Sequence, residues 1–198
     1  MDPVEQACAV LERGGLVVVP TDTVYGVAAS LRSDAIDALF AAKGRPRRKA
    51  LPVLGANVDQ LRDIARFSSM AEKLARAFWP GPLTMVLPRV ASFTIDLGGV
   101  AGDTVAVRVP LDPATLRLIE ASGPLAVTSA NASGEPPATT IEMATVALGG
   151  AAEPYVDAGP LEGEPSTILE LFEEPTILRD GPVSADALEE VLGIRPRR

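Results

Sequence analysis

Short apolar runs rich in β-branched residues alternate with capped amphipathic segments along almost the whole chain, and this interleaving restricts the possible folds more than any other sequence property. Strands are predicted at residues 16–19, 24–27, 51–54, 83–87, 104–109, 125–128, 155–157, 167–171 and 176–179. Helices are predicted between them. The first starts on Asp2 as N-cap with Pro3 at its first position, turns Val4, Ala7, Cys8 and Leu11 to one side, and stops at Gly14-Gly15. Others are read at 33–43, 58–65, 70–78, 113–121 (capped by Asp112), 141–148 (capped by Thr140) and 185–192 (capped by Ser184). The expected fold class is therefore α/β, an open, twisted, mixed β-sheet flanked by helices. With 198 residues, 47% of them hydrophobic, one domain over 1–198 is expected, with residues 195–198 as a frayed tail.

Several function classes are excluded by composition. The chain has no histidine, which removes Ser-His and Cys-His nucleophiles and imidazole metal sites. Its one cysteine, Cys8, rules out an internal disulfide and is expected to be a small core residue. No stretch approaches the roughly 20 apolar residues of a membrane span, and no secretory pattern opens the sequence, so a cytoplasmic location is expected. Chemistry must then rest on cations, hydroxyls, amides and carboxylates.

Against a formal net charge of −8, five of the seven residues from Lys43 to Lys49 are basic. Such a cluster repels itself unless water or an anion screens it. Gly44 ends a helix and Pro46 fixes the next φ, so Lys43 and Arg45 are presented from a restrained loop suited to phosphate. Thr128-Ser129-Ala130-Asn131-Ala132-Ser133-Gly134 follows a strand, and ligands of open α/β sheets bind at strand ends. Strand alternation in Thr104-Val105-Ala106-Val107-Arg108 sets Thr104, Ala106 and Arg108 on one face. Taken singly, each pattern is equally at home in a structural role: a solvated basic loop, an ordinary turn, an arginine paired with a nearby carboxylate.

Seven motifs in order resemble one family: PTDTVYG (20–26), KGRP (43–46), PGPLT (80–84), TVAVRVP (104–110), TSANASG (128–134), STI (166–168) and RDG (179–181). The chain is similar over roughly residues 5–182 to the YrdC-like L-threonylcarbamoyladenylate synthases, with the KxR and SxN pairs as the most specific part. The resemblance implies a YrdC-like sheet with a basic concave ligand cavity. It also implies nucleotidyl transfer: L-threonine, bicarbonate and ATP give L-threonylcarbamoyladenylate and pyrophosphate, the adenylate serving threonylcarbamoyladenosine formation in tRNA.

On this resemblance Lys43 and Arg45 are the catalytic cations, and Lys43, Arg45, Lys49, Thr104, Ser129, Asn131 and Arg179 bind ATP. Thr23, Arg108 and Ser166 bind L-threonine. Mg2+ is expected to arrive with ATP, with no protein ligands of its own. Downstream threonylcarbamoyl-transfer proteins are expected partners, and tRNA binding is expected to be weak or absent. One departure stands out, Leu54 where many relatives carry a histidine. A further expectation is that the extra C-terminal domain of longer relatives is missing. The stretch 98–102 reads as a loop or a lid. A competing reading, a nonenzymatic RNA-binding or ribosome-assembly module of the same fold, is opposed by the acidic net charge. A third, a paralogue acting on another carbamoyl or acyl adenylate as in hydrogenase maturation, lacks the zinc-binding and acylphosphatase-like parts of such proteins.

Overall fold

The protein, seen here as a computed structural model, is described at residues 2–100, 102–161, 163–172 and 174–198, with Pro154 described in its backbone alone. Helices run α1 (Pro3–Glu12), α2 (Ser33–Lys43), α3 (Val58–Arg62), α4 (Ser69–Phe78), α5 (Pro113–Ser122), α6 (Ile141–Ala147) and α7 (Ala185–Leu192). Strands run β1 (Leu16–Val19), β2 (Gly26–Ser30), β3 (Val53–Leu54), β4 (Leu83–Pro88), β5 (Thr104–Arg108), β6 (Leu125–Ser129), β7 (Ala152–Pro154), β8 (Thr167–Glu170) and β9 (Thr176–Arg179). The predicted caps form: side-chain oxygens of Asp2, Asp112, Thr140 and Ser184 each accept a backbone N–H of the first turn. Gly44 closes α2 at φ 56°, a left-handed conformation that costs glycine least.

The strands join one open mixed sheet in the order β7-β1-β2-β6-β3-β5-β4-β8-β9. Pairs β1/β7, β3/β5 and β4/β8 are parallel; β1/β2, β2/β6, β3/β6, β4/β5 and β8/β9 are antiparallel. Strand alternation divides the core between two faces. Leu16 and Val18 of β1, Met85 of β4 and Val107 of β5 pack with α2, α4, α6 and α7 through Ile36, Leu39, Leu74, Ala144 and Leu188. Val17 and Val19 face the other way, onto α1 and α5 through Val10, Leu11, Leu118 and Ile119. That second helical layer covers β1, β2 and β6. Over β4 and β5 the same face carries Thr84, Val86, Ala106 and Arg108, and it opens on a cavity instead.

Several boundaries differ from the sequence reading. Strand β2 starts at Gly26, not Val24, because Thr21 Oγ1 accepts the N–H groups of Thr23 and Val24 and curls that segment into a turn. Helix α3 stops at Arg62, and Ala65 bridges to Arg89. The edge strand is 152–154, with 155–157 lying beyond it, since the parallel register with Leu16–Val18 fixes the pairing. Cys8 is half-buried at the border of the α1 layer, less enclosed than a core residue. The tail expected to fray lies along β9 instead: Ile177 N–H donates to Arg197 O at 2.8 Å and Arg197 N–H to Pro175 O at 2.8 Å. Arg197 also pairs with Glu174 at 2.6 Å, and Pro196 is buried.

Candidate active site

The uncovered face forms the floor of a cavity of about 360 Å³ whose wall includes Thr23, Arg45, Arg108, Ser129, Ser166 and Arg179. Among the described residues its lining has no carboxylate. A larger surface groove of about 560 Å³ beside α6, lined by Ile141, Val146 and Tyr155, gathers none of these groups.

One end of the cavity is built on Arg108, which is 5% exposed. Its Nε donates to Gly81 O at 2.9 Å, its Nη1 to Thr23 Oγ1 at 3.4 Å and its Nη2 to Asp22 Oδ1 at 2.6 Å. Burial draws the guanidinium below its ordinary value, and the Asp22 charge and hydrogen bond work against that. Thr23 is set by the Thr21 turn, where the two hydroxyls lie 2.9 Å apart. Gly163 lies so close that a Cβ on it would stand 2.3 Å from Thr23 O, so only glycine fits there.

Next to Arg108 lies a second polar group. Ser166 Oγ is 2.8 Å from Thr84 Oγ1, and Arg179 donates to Ser166 O from Nε at 2.9 Å and from Nη2 at 2.7 Å. Arg179 Nη2 also reaches Ser166 Oγ at 3.1 Å. Burial first, then the charge of Arg108, pulls Arg179 below its ordinary value. Arg179, assigned to the nucleotide by resemblance, therefore shares hydrogen bonds with a residue assigned to the amino acid. A Cβ on Gly181 would meet Pro165 O and Thr167 N at 2.5 Å, which explains the glycine after Arg179-Asp180.

The other end holds the basic loop, whose members have different fates. Lys43 is 3% exposed, and its ammonium donates to Ser129 O, to Asn131 O at 2.5 Å and to Asn131 Oδ1 at 3.3 Å. Burial, and secondarily Arg45, lowers it from 10.5 to about 8. A lysine has three N–H donors, so direct contact with a phosphate requires Lys43 to release one of these carbonyls. Arg45 is the member that faces the cavity, braced by Nε to Lys49 O at 3.0 Å and Nη2 to Ala50 O at 2.7 Å. Burial lowers it as well. Arg47 has structural partners: it pairs with Asp37 and with Asp96 at 3.4 Å, and its guanidinium lies 4.2 Å from the Phe40 ring. Its carbonyl accepts from Gly99 N–H at 2.7 Å, which ties the 98–102 stretch to the basic loop; Ala101 lies outside the described residues.

Six of the ten residues singled out in the sequence thus line one cavity. Lys43 and Asn131 lie behind its wall, bonded to each other. Lys49 is exposed, and neither it nor Thr104 is in the lining. Two residues given no role in the sequence reading join the cluster. Thr84 was accessible by alternation, because Leu83 and Met85 point to the core and leave Thr84 on the face of Arg108. Asp22 had no such signal. Leu54, 4% exposed, pairs in register with Arg108 and lines an apolar wall with Pro52, Val86, Ala106 and Val127.

This arrangement defines an open-sheet α/β protein with a small-molecule cavity at a bare sheet face. The Sua5_yciO_yrdC family, described as "Telomere recombination", matches residues 9–181. A protein of Mycobacterium tuberculosis (strain H37Rv) is 43% identical over 192 residues, 95% of this chain and 88% of that protein. The Threonylcarbamoyl-AMP synthase of Pyrococcus abyssi is 40% identical over 94% of this chain, which spans only 56% of its length. The crystal structure of P. abyssi Sua5 complexed with L-threonine superposes with a TM-score of 0.91 at 37% identity, over 98% of this chain and 58% of that one. The chain belongs to the Sua5/YciO/YrdC family.

Proposed function

We propose that this chain is an L-threonylcarbamoyladenylate synthase, acting as one YrdC-like domain. The observation that carries the reading is the division of one cavity, with no carboxylate in its lining among the described residues, into an end holding Arg108, Thr23 and Ser166 and an end holding Arg45 beside Lys43. Two anions to be joined need two cationic ends held at a fixed separation. Relatives named for this synthase, and a relative seen with L-threonine, support the same reading.

In this function the threonine amine and bicarbonate combine to a carbamate with loss of water. A carbamate oxygen attacks the α-phosphorus of ATP, the bond to the bridging oxygen breaks, and pyrophosphate leaves with the electron pair. No enzyme nucleophile takes part, in keeping with the absence of histidine. The protein orients the partners and offsets developing negative charge. Arg108 receives the threonine carboxylate, with Thr23 and Ser166 as hydrogen-bonding neighbours. Arg45 faces the triphosphate, and Lys43 adds charge from behind while fixing the Ser129–Asn131 backbone. Ser129 and Arg179 from the cavity wall, Asn131 from behind it, and Thr104 and Lys49 from outside the lining complete the nucleotide contacts. The apolar wall at Leu54 replaces a hydrogen-bonding contact with packing against the amino-acid side chain.

Among the described residues no cluster of three or more acidic, cysteine or histidine side chains gathers. Mg2+ belongs with the ATP phosphates as part of the substrate. The adenylate passes to proteins that transfer threonylcarbamoyl to tRNA, with little binding of tRNA here. Among the described residues no helix is long and apolar enough to cross a membrane. The cytoplasmic location is part of the proposal and rests on the tRNA-modifying role assigned above.

Pyrophosphate release with mass detection of the adenylate tests the proposal. Omission of threonine, bicarbonate or ATP is each expected to abolish product. Equal pyrophosphate without threonine overturns it.

A further inference from the structure

Asp22 has no part in the roles assigned so far, yet it supplies the carboxylate paired with the most buried cation of the cavity. Its Oδ1 accepts from Arg108 Nη2 at 2.6 Å and from Leu111 N–H at 3.0 Å. Its Oδ2 is sealed from solvent and has no hydrogen-bond partner among the described residues. A buried carboxylate oxygen without a donor costs stability, so this grip through one oxygen is a poor way to hold a fold together. A bidentate pair would satisfy both oxygens, but it would also consume the paired N–H fork of the arginine. Among the described residues the guanidinium makes three bonds, to Gly81 O, Thr23 Oγ1 and Asp22 Oδ1, which leaves one of its five N–H donors on each Nη for a ligand. Two N–H donors are what a ligand carboxylate needs to be held through both oxygens.

We propose that Asp22 is the positioning residue for Arg108: its one-oxygen contact fixes the guanidinium plane and leaves an N–H pair for the carboxylate of the amino-acid substrate. This rests on the reading of Arg108 as the amino-acid anchor. Asp22 does not itself touch substrate. Its rigidity comes from Leu111 N–H on β5's continuation and from the Thr21 turn on either side of it in sequence.

The test is steady-state kinetics on the full chain with threonine and ATP varied separately, alongside thermal unfolding. Threonine-dependent adenylate formation by the wild type comes first, and its absence sinks the functional reading itself. Given that activity, Asp22→Ala is expected to raise the threonine KM about tenfold or more while the ATP KM stays within about twofold. Asp22→Asn keeps an amide oxygen for Arg108 and Leu111 and is expected to raise the threonine KM about threefold. Asp22→Ala added to Arg108→Ala is expected to cost nothing further, because the two act as one unit. An unchanged threonine KM in folded Asp22→Ala overturns the proposal, as does a parallel rise for both substrates. Should Asp22→Ala fail to fold, Asp22→Asn decides: an unchanged threonine KM leaves only a structural role. A lower one shows that Asp22 competes with the substrate for Arg108, and either result overturns the proposal.

Discussion

Strand β1 turns Val17 and Val19 onto α1 and α5, whereas β5, four places along the same sheet, turns Ala106 and Arg108 onto open space. Both strands obey the same alternation and send their other face into the same large core, through Leu16 and Val18 in one and Val105 and Val107 in the other. The difference is the helical cover. Where α1 and α5 lie, the second face is apolar and contributes stability. Where they do not reach, it can hold an arginine, a hydroxyl pair and a ligand. The proposed binding site occupies the part of the sheet that the fold leaves unpacked.

Substitutions in the two halves should therefore separate activity from stability. The largest effect is expected at the open half: Arg45→Ala should lower kcat/KM for adenylate formation by about 10²–10³ with the melting temperature nearly unchanged, as for loss of a charge-stabilising donor. A large drop in melting temperature with retained specific activity would erase the contrast. In the covered half, Leu118→Ala removes a fully buried side chain of α5 and should cost about 2–5 kcal/mol in chemical denaturation. Specific activity of the folded fraction should remain that of the wild type.

A third effect concerns pH, at the border of the two halves. Lys43 is lowered in the folded state from 10.5 to about 8, so between those values the unfolded chain holds a proton that the native one has lost. Stability then rises with pH across that window, since the unfolded state binds more protons. Below pH about 8 the buried ammonium exerts its full destabilising effect. Denaturation of wild type and Lys43→Met at a series of pH values should show the wild type gaining on the variant from pH 8 upward, and a constant gap would contradict the burial argument. The smallest effect is expected at Lys49, whose exposed charge is screened by salt: Lys49→Ala should raise the ATP KM only about twofold to threefold, and less at 0.5 M salt. A tenfold change would move the nucleotide site outward over the basic loop.

Much of this was legible in the chain. The capped helices α1, α5 and α7 appear where Asp2-Pro3, Asp112-Pro113 and Ser184 predict them, because capping and proline preferences act within a turn. Boundaries failed where partners are distant: β7 is defined by pairing with β1, more than 130 residues earlier, and the C-terminal tail by β9. Within the site, alternation made the face of Arg108 readable, Ser129 stood out in its strand-end motif, and Thr23 and Ser166 were named from the family resemblance. The roles of Arg47 and Asp22 were not readable, since each depends on a partner supplied by another segment.

By itself, then, the sequence determined the alternation of elements, the face on which Arg108 lies and the restrained basic loop, all properties of short-range sterics and periodicity. Only the tertiary structure decided that Arg45 faces the cavity while Lys43 turns back to Ser129 and Asn131, that Arg179 joins Ser166, and that Asp22 holds Arg108 across 86 positions of chain. The physical reason is that a buried donor takes whichever acceptor the packing brings within about 3 Å, and that choice is not encoded in its neighbours along the chain.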